Sequence, residues 1–187
     1  MKLKFITGNS NKFKEIQNVL EPFQLEQVVL DLDEIQDMDE VKIIEHKAKQ
    51  ALQNVKTPFF VEDTSFSFEC FDYKFPGPFI KFFEVHYKAS GLFILAKNLG
   101  RLKARGKTII TFVDESHNLH HFEGNHQGQL VEPRGDKDFG YGAAFIPDRS
   151  NLTFGEMERS EKYKYSARAE ATRKFREFLI QNNYEQS

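Results

Sequence analysis

The residues Thr7-Gly8-Asn9-Ser10-Asn11-Lys12 place a small-residue turn between an alternating apolar segment and a helical one. Free backbone N–H groups and the positive end of a helix dipole then point at one spot, which suits an anion, and Lys12 adds a full charge. The two-glycine spacing and Lys-Ser/Thr pair of a Walker loop are absent. The same residues would also serve as a plain cap, with Asn9 or Ser10 closing the helix and Lys12 in solvent. Further on, Glu62 and Asp63 follow the apolar Phe59-Phe60-Val61. Ligands of open α/β sheets collect at the carboxyl ends of strands, and magnesium prefers hard carboxylate oxygens. A solvated strand end with Thr64 opening a turn is the alternative.

Asp31 to Glu40 holds six acids in ten positions. A calcium loop would need Gly where Gln36 stands and Glu where Lys42 stands, so most of this run reads as a solvated loop with one or two acids available to a metal. His117, His120, His121 and His126 invite a zinc reading, but adjacent His120 and His121 would face opposite sides of a strand. Surface hairpin histidines are the simpler reading. Arg168 in the first turn of a helix opposes the dipole unless an anion is near; taken alone, the basic tail reads as an ordinary exposed segment.

The elements that position these residues follow from periodicity. Lys2 to Thr7 alternates as a strand, and Phe13, Ile16 and Leu20 recur at helical spacing. A strand is expected at Leu25 to Leu30, and a helix carries Val41, Ile44, Ala48, Ala51, Leu52 and Val55. Thr57-Pro58 breaks that helix before the short strand Phe59 to Val61, which ends in Glu62-Asp63. Two helical segments, near Ile80 to Tyr87 and Gly91 to Leu99, follow the rigid Phe75-Pro76-Gly77-Pro78. Thr108 to Val113 and Leu119 to Val131 read as a hairpin. A loop from Gly135 to Gly142 precedes a strand at Ala143 to Ile146. The last helix carries Ala171, Phe175, Phe178 and Leu179, capped by Ser166. Mixed helices and strands throughout imply an α/β fold with a mixed sheet.

The 187 residues suit a single domain, 1–187, with a real core. A formal net charge of −2 argues against a nucleic-acid binder. The lone Cys70 excludes an internal disulfide and a cysteine zinc cluster. No run approaches the apolar length of a membrane span, and the first residues are too polar for a signal peptide. The expected compartment is the cytoplasm.

Taken in order, Thr7-Gly8-Asn9-x-x-Lys12, Val61-Glu62-Asp63-Thr64-Ser65, Phe75-Pro76-Gly77-Pro78-Phe79-Ile80-Lys81-Phe82-Phe83, Phe139-Gly140-Tyr141, Thr153-Phe154-Gly155-Glu156-Met157, Lys162 and Ser166-x-Arg168 span nearly the whole chain. The series resembles the inosine triphosphate pyrophosphatase family, which removes non-canonical purine nucleotides. The resemblance implies a two-lobed α/β fold on a long mixed sheet flanked by helices, an active-site cleft between the lobes, and a homodimer. It implies magnesium-dependent hydrolysis of a nucleoside triphosphate to monophosphate and pyrophosphate. By position, Thr7, Gly8, Asn9 and Lys12 would hold the triphosphate. Asp63 would activate water and, with Glu34, hold Mg2+. Thr64 and the Phe139-Gly140-Tyr141 segment would contact the nucleotide, and Lys162, Ser166 and Arg168 would close on it.

Three positions depart from the family pattern. Gly142 stands where the family has Asp, and Ala167 where it has His, both at the purine-recognising end of the pocket. The family's lysine in the helix after Glu40 falls on Glu45, with Lys47 as a possible substitute. The implied enzyme has altered base specificity; a catalytically inactive nucleotide sensor on the same fold is the alternative.

Overall fold

A computed structural model describes residues 2–184. In chain order the elements are β1 (Leu3–Ile6), α1 (Ser10–Leu20), β2 (Leu25–Val28), α2 (Glu40–Leu52), β3 (Phe59–Phe68), β4 (Pro76–Gly77), α3 (Ile80–Asn98), β5 (Lys103–Val113), β6 (Leu119–Leu130), β7 (Phe145–Pro147), α4 (Arg159–Lys162) and α5 (Ala167–Gln181). The strands form one mixed sheet in the order β2-β1-β3-β5-β6-β7, with β4 paired to β3. β1 runs parallel to both β2 and β3, while β4 and β7 pair antiparallel with β3 and β6. The expected α/β class and mixed sheet are what the chain adopts.

The chain gathers into two compact units. The first takes in the chain up to Asp63, Thr108–Gly124 and the chain from Arg168; the second takes in Thr64–Lys107 and Asn125–Ala167.

In the first unit, side-chain alternation along the strands builds a core on each face of the sheet. Leu3, Phe5, Phe60, Ile110 and Phe112 pack with Ile16 and Leu20 of α1 and Phe175 and Leu179 of α5. Their strand neighbours Ile6, Phe59, Val61, Ile109 and Val113 pack with Ile44, Ala48 and Ala51 of α2. The phenylalanines are the substance of the first core: the Phe5 and Phe60 rings stack at 4.5 Å, and Phe175 lies 5.1 Å from Phe60.

In the second unit Phe66, Phe68, Ile80, Leu92, Leu130, Phe145, Phe154 and Met157 form a single core. The two expected helical segments after the Pro-Gly-Pro loop are present as α3, interrupted at Lys88, whose φ of 56° is left-handed.

The strand that carries Glu62 and Asp63 is the main departure from expectation. It does not end there: β3 runs ten residues, Phe59–Phe68. Its parallel pairing with β1 covers Lys4↔Phe59 and Phe5↔Phe60, after which it continues to pair with β4 at Phe66 and Ser67. Glu62 and Asp63 therefore lie inside a continuous strand, just beyond the last β1 partner.

Candidate functional site

Continuity of β3 decides where its two carboxylates go. Alternation sends Glu62 to the face of Phe60, occupied by α1 and α5, and Asp63 to the face of Val61, occupied by α2. The two acids cannot close on one ion as a pair; each has its own partners.

On the Glu62 side, the carboxylate is fully buried and takes Lys12 Nζ at 2.7 Å on Oε2. That contact is an ion pair without the alignment of a hydrogen bond. Arg168 donates from Nε to Glu62 Oε1 at 3.2 Å and from Nη1 to Glu15 Oε2 at 2.5 Å. Two cations and two carboxylates thus form a neutral cluster tying α1, β3 and α5. Arg168 is only 8% exposed, which corrects the reading of the tail as an exposed basic segment. The unfavourable helix dipole at its position is offset by two carboxylates.

At the start of α1, Asn9 is the cap: its Oδ1 accepts the amides of Asn11 and Lys12 at 3.0 and 3.1 Å, and Thr7 Oγ1 accepts the Asn9 amide at 3.1 Å. Two of the amides expected to greet an anion are thus used internally. The cation beside the turn is Lys12, whose side chain remains 20% exposed. Gly8 and Asn9 are exposed and Thr7 is half-buried.

On the Asp63 side, α2 is capped by Asp39 and buries Ile43, Ile44, Lys47, Ala48 and Ala51 along one stripe. Lys47 shares that stripe, and its Nζ lies 3.3 Å from both Asp63 Oδ1 and Glu34 Oε1. Burial alone would pull the Lys47 pKa down; the charges of Asp63, Glu34 and Glu62 outweigh it and hold the pKa above the usual lysine value. Lys47 stays charged. Glu45, where the family lysine was aligned, faces elsewhere and pairs with Lys49 and His121. The acidic run thus delivers Glu34 to the same point as Asp63.

In the second unit, Lys162 is buried and donates to Asp138 Oδ1 at 2.6 Å, with its ammonium 5.2 Å from the Phe139 ring and 5.5 Å from that of Phe154. The loop Phe139-Gly140-Tyr141 is anchored to α3, since Glu84 Oε1 accepts the Tyr141 amide at 3.0 Å. Gly140 has a φ of +62°, and a β-carbon there would stand 2.5 Å from Glu84 Oε1. The Tyr141 ring stacks on Phe66 at 3.8 Å. Thr64 is half-buried within β3, and Ser166 is buried directly before α5.

Sequence reasoning passed over Glu15, Glu84 and Asp138, and misjudged His126. Glu15 lies three residues after Lys12 on one helix face, a spacing that could have flagged it. His126 is not a surface histidine: it is 8% exposed and ringed by Phe66, Tyr141, Phe145 and Phe154. His120 and His121 are engaged with Asp114 and Thr111. Among the described residues no group of three or more His, Cys, Asp or Glu could hold a metal ion.

Known proteins share this arrangement of sequence and fold. The model of the Ham1 family matches residues 3–178. The chain is 37% identical to the inosine triphosphate pyrophosphatase of Kluyveromyces lactis, covering 94% of each chain. It is also 37% identical to that of Saccharomyces cerevisiae, covering 96% of each. Among solved structures, the Staphylococcus aureus Ham1 protein superposes with a TM-score of 0.79 at 17% identity, over 97% of this chain and all of that one. A HAM1 protein from Coxiella burnetii gives 0.76 at 20%, over 96% and 99%. Motifs in series from Thr7 to Arg168, the mixed sheet that orders them and relatives matched nearly end to end agree: this chain belongs to the Ham1 family.

Proposed function

We propose that the chain is an inosine triphosphate pyrophosphatase-type hydrolase, which converts a non-canonical purine nucleoside triphosphate to its monophosphate and pyrophosphate with Mg2+, and whose base specificity is altered. The observation that carries this reading is the convergence of Asp63 and Glu34 on the Lys47 ammonium, each at 3.3 Å. Two carboxylates that reach one small cation stand where a divalent ion would be shared. Two protein carboxylates suit Mg2+, which completes its shell with water and substrate phosphates. When bound, the ion neutralises charge on the pyrophosphate leaving group.

The chain's own residues would do the rest. Asp63, with its side chain a quarter exposed, takes the proton of a water as the water oxygen bonds to the α-phosphorus. The bond from that phosphorus to the pyrophosphate oxygen breaks, and pyrophosphate leaves. Lys12, beside the Thr7-Gly8-Asn9 turn and 20% exposed, would hold phosphate oxygens, with Arg168 behind it on Glu62. Lys47 stays protonated and holds Asp63 and Glu34 in place. Thr64, Phe139, Gly140, Tyr141, Lys162 and Ser166 would contact sugar and base. Gly142 and Ala167 lack the side chains expected for purine recognition, so discrimination differs from the family pattern.

The relatives named above are inosine triphosphate pyrophosphatases, which supports the reaction class. We keep the cytoplasm as the compartment: Cys70 is a free thiol, and no helix of the described residues is long and apolar enough to cross a membrane. A homodimer belongs to the same reading.

Phosphorus NMR of reactions with inosine, xanthosine, guanosine and adenosine triphosphates tests it. Monophosphate and pyrophosphate in equal amounts, with a base ranking flatter than a strict inosine and xanthosine preference, is the expected outcome. Diphosphate with inorganic phosphate would overturn the reaction class, and a sharp inosine and xanthosine preference would overturn the altered specificity.

A further inference from the structure

His126 lies inside the second unit on β6, and both of its ring nitrogens are engaged. Nδ1 is 3.1 Å from the backbone nitrogen of Ala167, the first residue of α5, and Nε2 is 3.3 Å from Tyr141 Oη. A backbone N–H can only donate, so Nδ1 accepts and carries no proton. The neutral ring then carries its hydrogen on Nε2 and donates it to Tyr141 Oη. The tyrosine's own proton is consequently directed away from His126.

Several features keep this arrangement in place. Gly106 makes room for the ring, since a β-carbon there would stand 2.2 Å from Nε2. Phe145 and Phe154 flank the imidazole at 4.9 and 5.4 Å between ring centres. Phe66 holds the tyrosine ring by stacking, and Glu84 holds its amide. A buried imidazole with its tautomer fixed from the backbone therefore sets the hydrogen-bonding sense of one hydroxyl.

We propose that His126 is a positioning residue for base recognition: bound to the Ala167 amide, it presents Tyr141 Oη as a hydrogen-bond donor to a purine that carries an oxygen rather than an amino group. The inference rests on the pyrophosphatase reading above. It gives this chain an imidazole at Ala167 through the backbone, although residue 167 itself has no side chain able to read a base. Recognition has moved from the first residue of α5 to a strand residue that touches it.

Two substitutions divide the roles of the ring. Gln places its amide nitrogen at the level of Nε2 and can still donate to Tyr141, whereas Asn reaches only the level of Nδ1. His126→Asn is expected to raise KM for inosine triphosphate about tenfold, the weight of one hydrogen bond, with kcat falling less than KM rises. His126→Gln is expected to stay within about threefold of the wild type, on the same scale. Tyr141→Phe matches His126→Asn, and the double variant is no worse than Tyr141→Phe alone, because both remove the same hydrogen bond. For His126→Asn, KM for adenosine triphosphate is expected to move less than KM for inosine triphosphate.

Unfolding temperatures of all variants control for folding. Nitrogen-15 NMR of the imidazole gives a readout independent of turnover, with a protonated Nε2 and a bare Nδ1 expected. A protonated Nδ1, additive effects in the double variant, or equal KM for Asn and Gln with wild-type turnover intact would overturn the inference alone. Failure of the wild type to cleave any triphosphate would overturn the underlying reading and this inference with it.

Discussion

Gly142 shows how one missing side chain is answered by a neighbour. A β-carbon at this position would lie 2.1 Å from Asp138 Oδ2 and 2.8 Å from Asp138 Cβ. The Asp138 carboxylate therefore uses the space a residue at 142 would need, and from there it holds the buried Lys162 at 2.6 Å. Gly142→Ala must push Asp138 off Lys162, and a buried pair deprived of one partner costs about 3 kcal/mol or more. Urea unfolding should show that loss; a change under about 0.5 kcal/mol, the ordinary size of a neutral substitution, would mean the pair relaxes freely. The absent Asp at 142 was legible from the sequence, but its consequence was not. The loop between Asp138 and Gly142 turns at Gly140, which has a positive φ. Lys12 and Asp63 were legible as charges beside small-residue or strand segments. Glu34 was named through the resemblance, but the buried pairings of Glu62 with Lys12 and Arg168, and of Lys47 with Asp63 and Glu34, depend on which elements meet.

At the scale of elements, strand alternation does most of the sorting. Reading β3 as a three-residue strand kept Glu62 and Asp63 together at its end; as a ten-residue strand it sends them to opposite faces. The apolar stripe of α2 was readable from the sequence, and Lys47 rides on it between Ile44 and Ala48, so the inward lysine follows once the register is known. The β5–β6 hairpin turn offers a test at this scale. Asp114 accepts the amides of Ser116 and Asn118 at 2.8 and 2.9 Å and pairs with His120. Burial pushes its pKa up, but the hydrogen bonds from His120, Asn118 and Ser116 outweigh that and bring it from 3.8 down to about 2. A carboxyl depressed on folding contributes stability above its unfolded pKa and loses it as pH falls through the folded value. Asp114→Ala should therefore cost about 1–2 kcal/mol at pH 7, and the gap to wild type should close between pH 4 and about 2. An equal gap at both ends of that window, by urea unfolding, would contradict the assignment.

For the whole molecule, the mixed α/β class and the order of elements were readable because apolar periodicity marked nearly every strand and helix. Two lobes were implied by the resemblance alone; periodicity does not mark the boundaries of the two units, because β3, β5 and β6 each cross them without a break in the sequence pattern. The surface carries a further expectation. Phe82 and Val85, one turn apart on α3, are exposed at 55% and 57%, as is Tyr87 at 58%. Phe82 and Val85 share one face of α3, and the proposed homodimer would cover that pair. Sedimentation should give twice the 21.8 kDa chain mass, and Val85→Glu should return the monomer; a monomeric wild type at micromolar concentration would contradict the dimer. The central claim is pyrophosphohydrolysis with Asp63 as the base. Its most direct test is pyrophosphate release from inosine triphosphate and Mg2+ by the wild type and by Asp63→Asn. Steady release by the wild type and a loss of at least a hundredfold in the variant, the range for a removed general base, is the expected result; undiminished release by Asp63→Asn, or none by the wild type, would rule out that role.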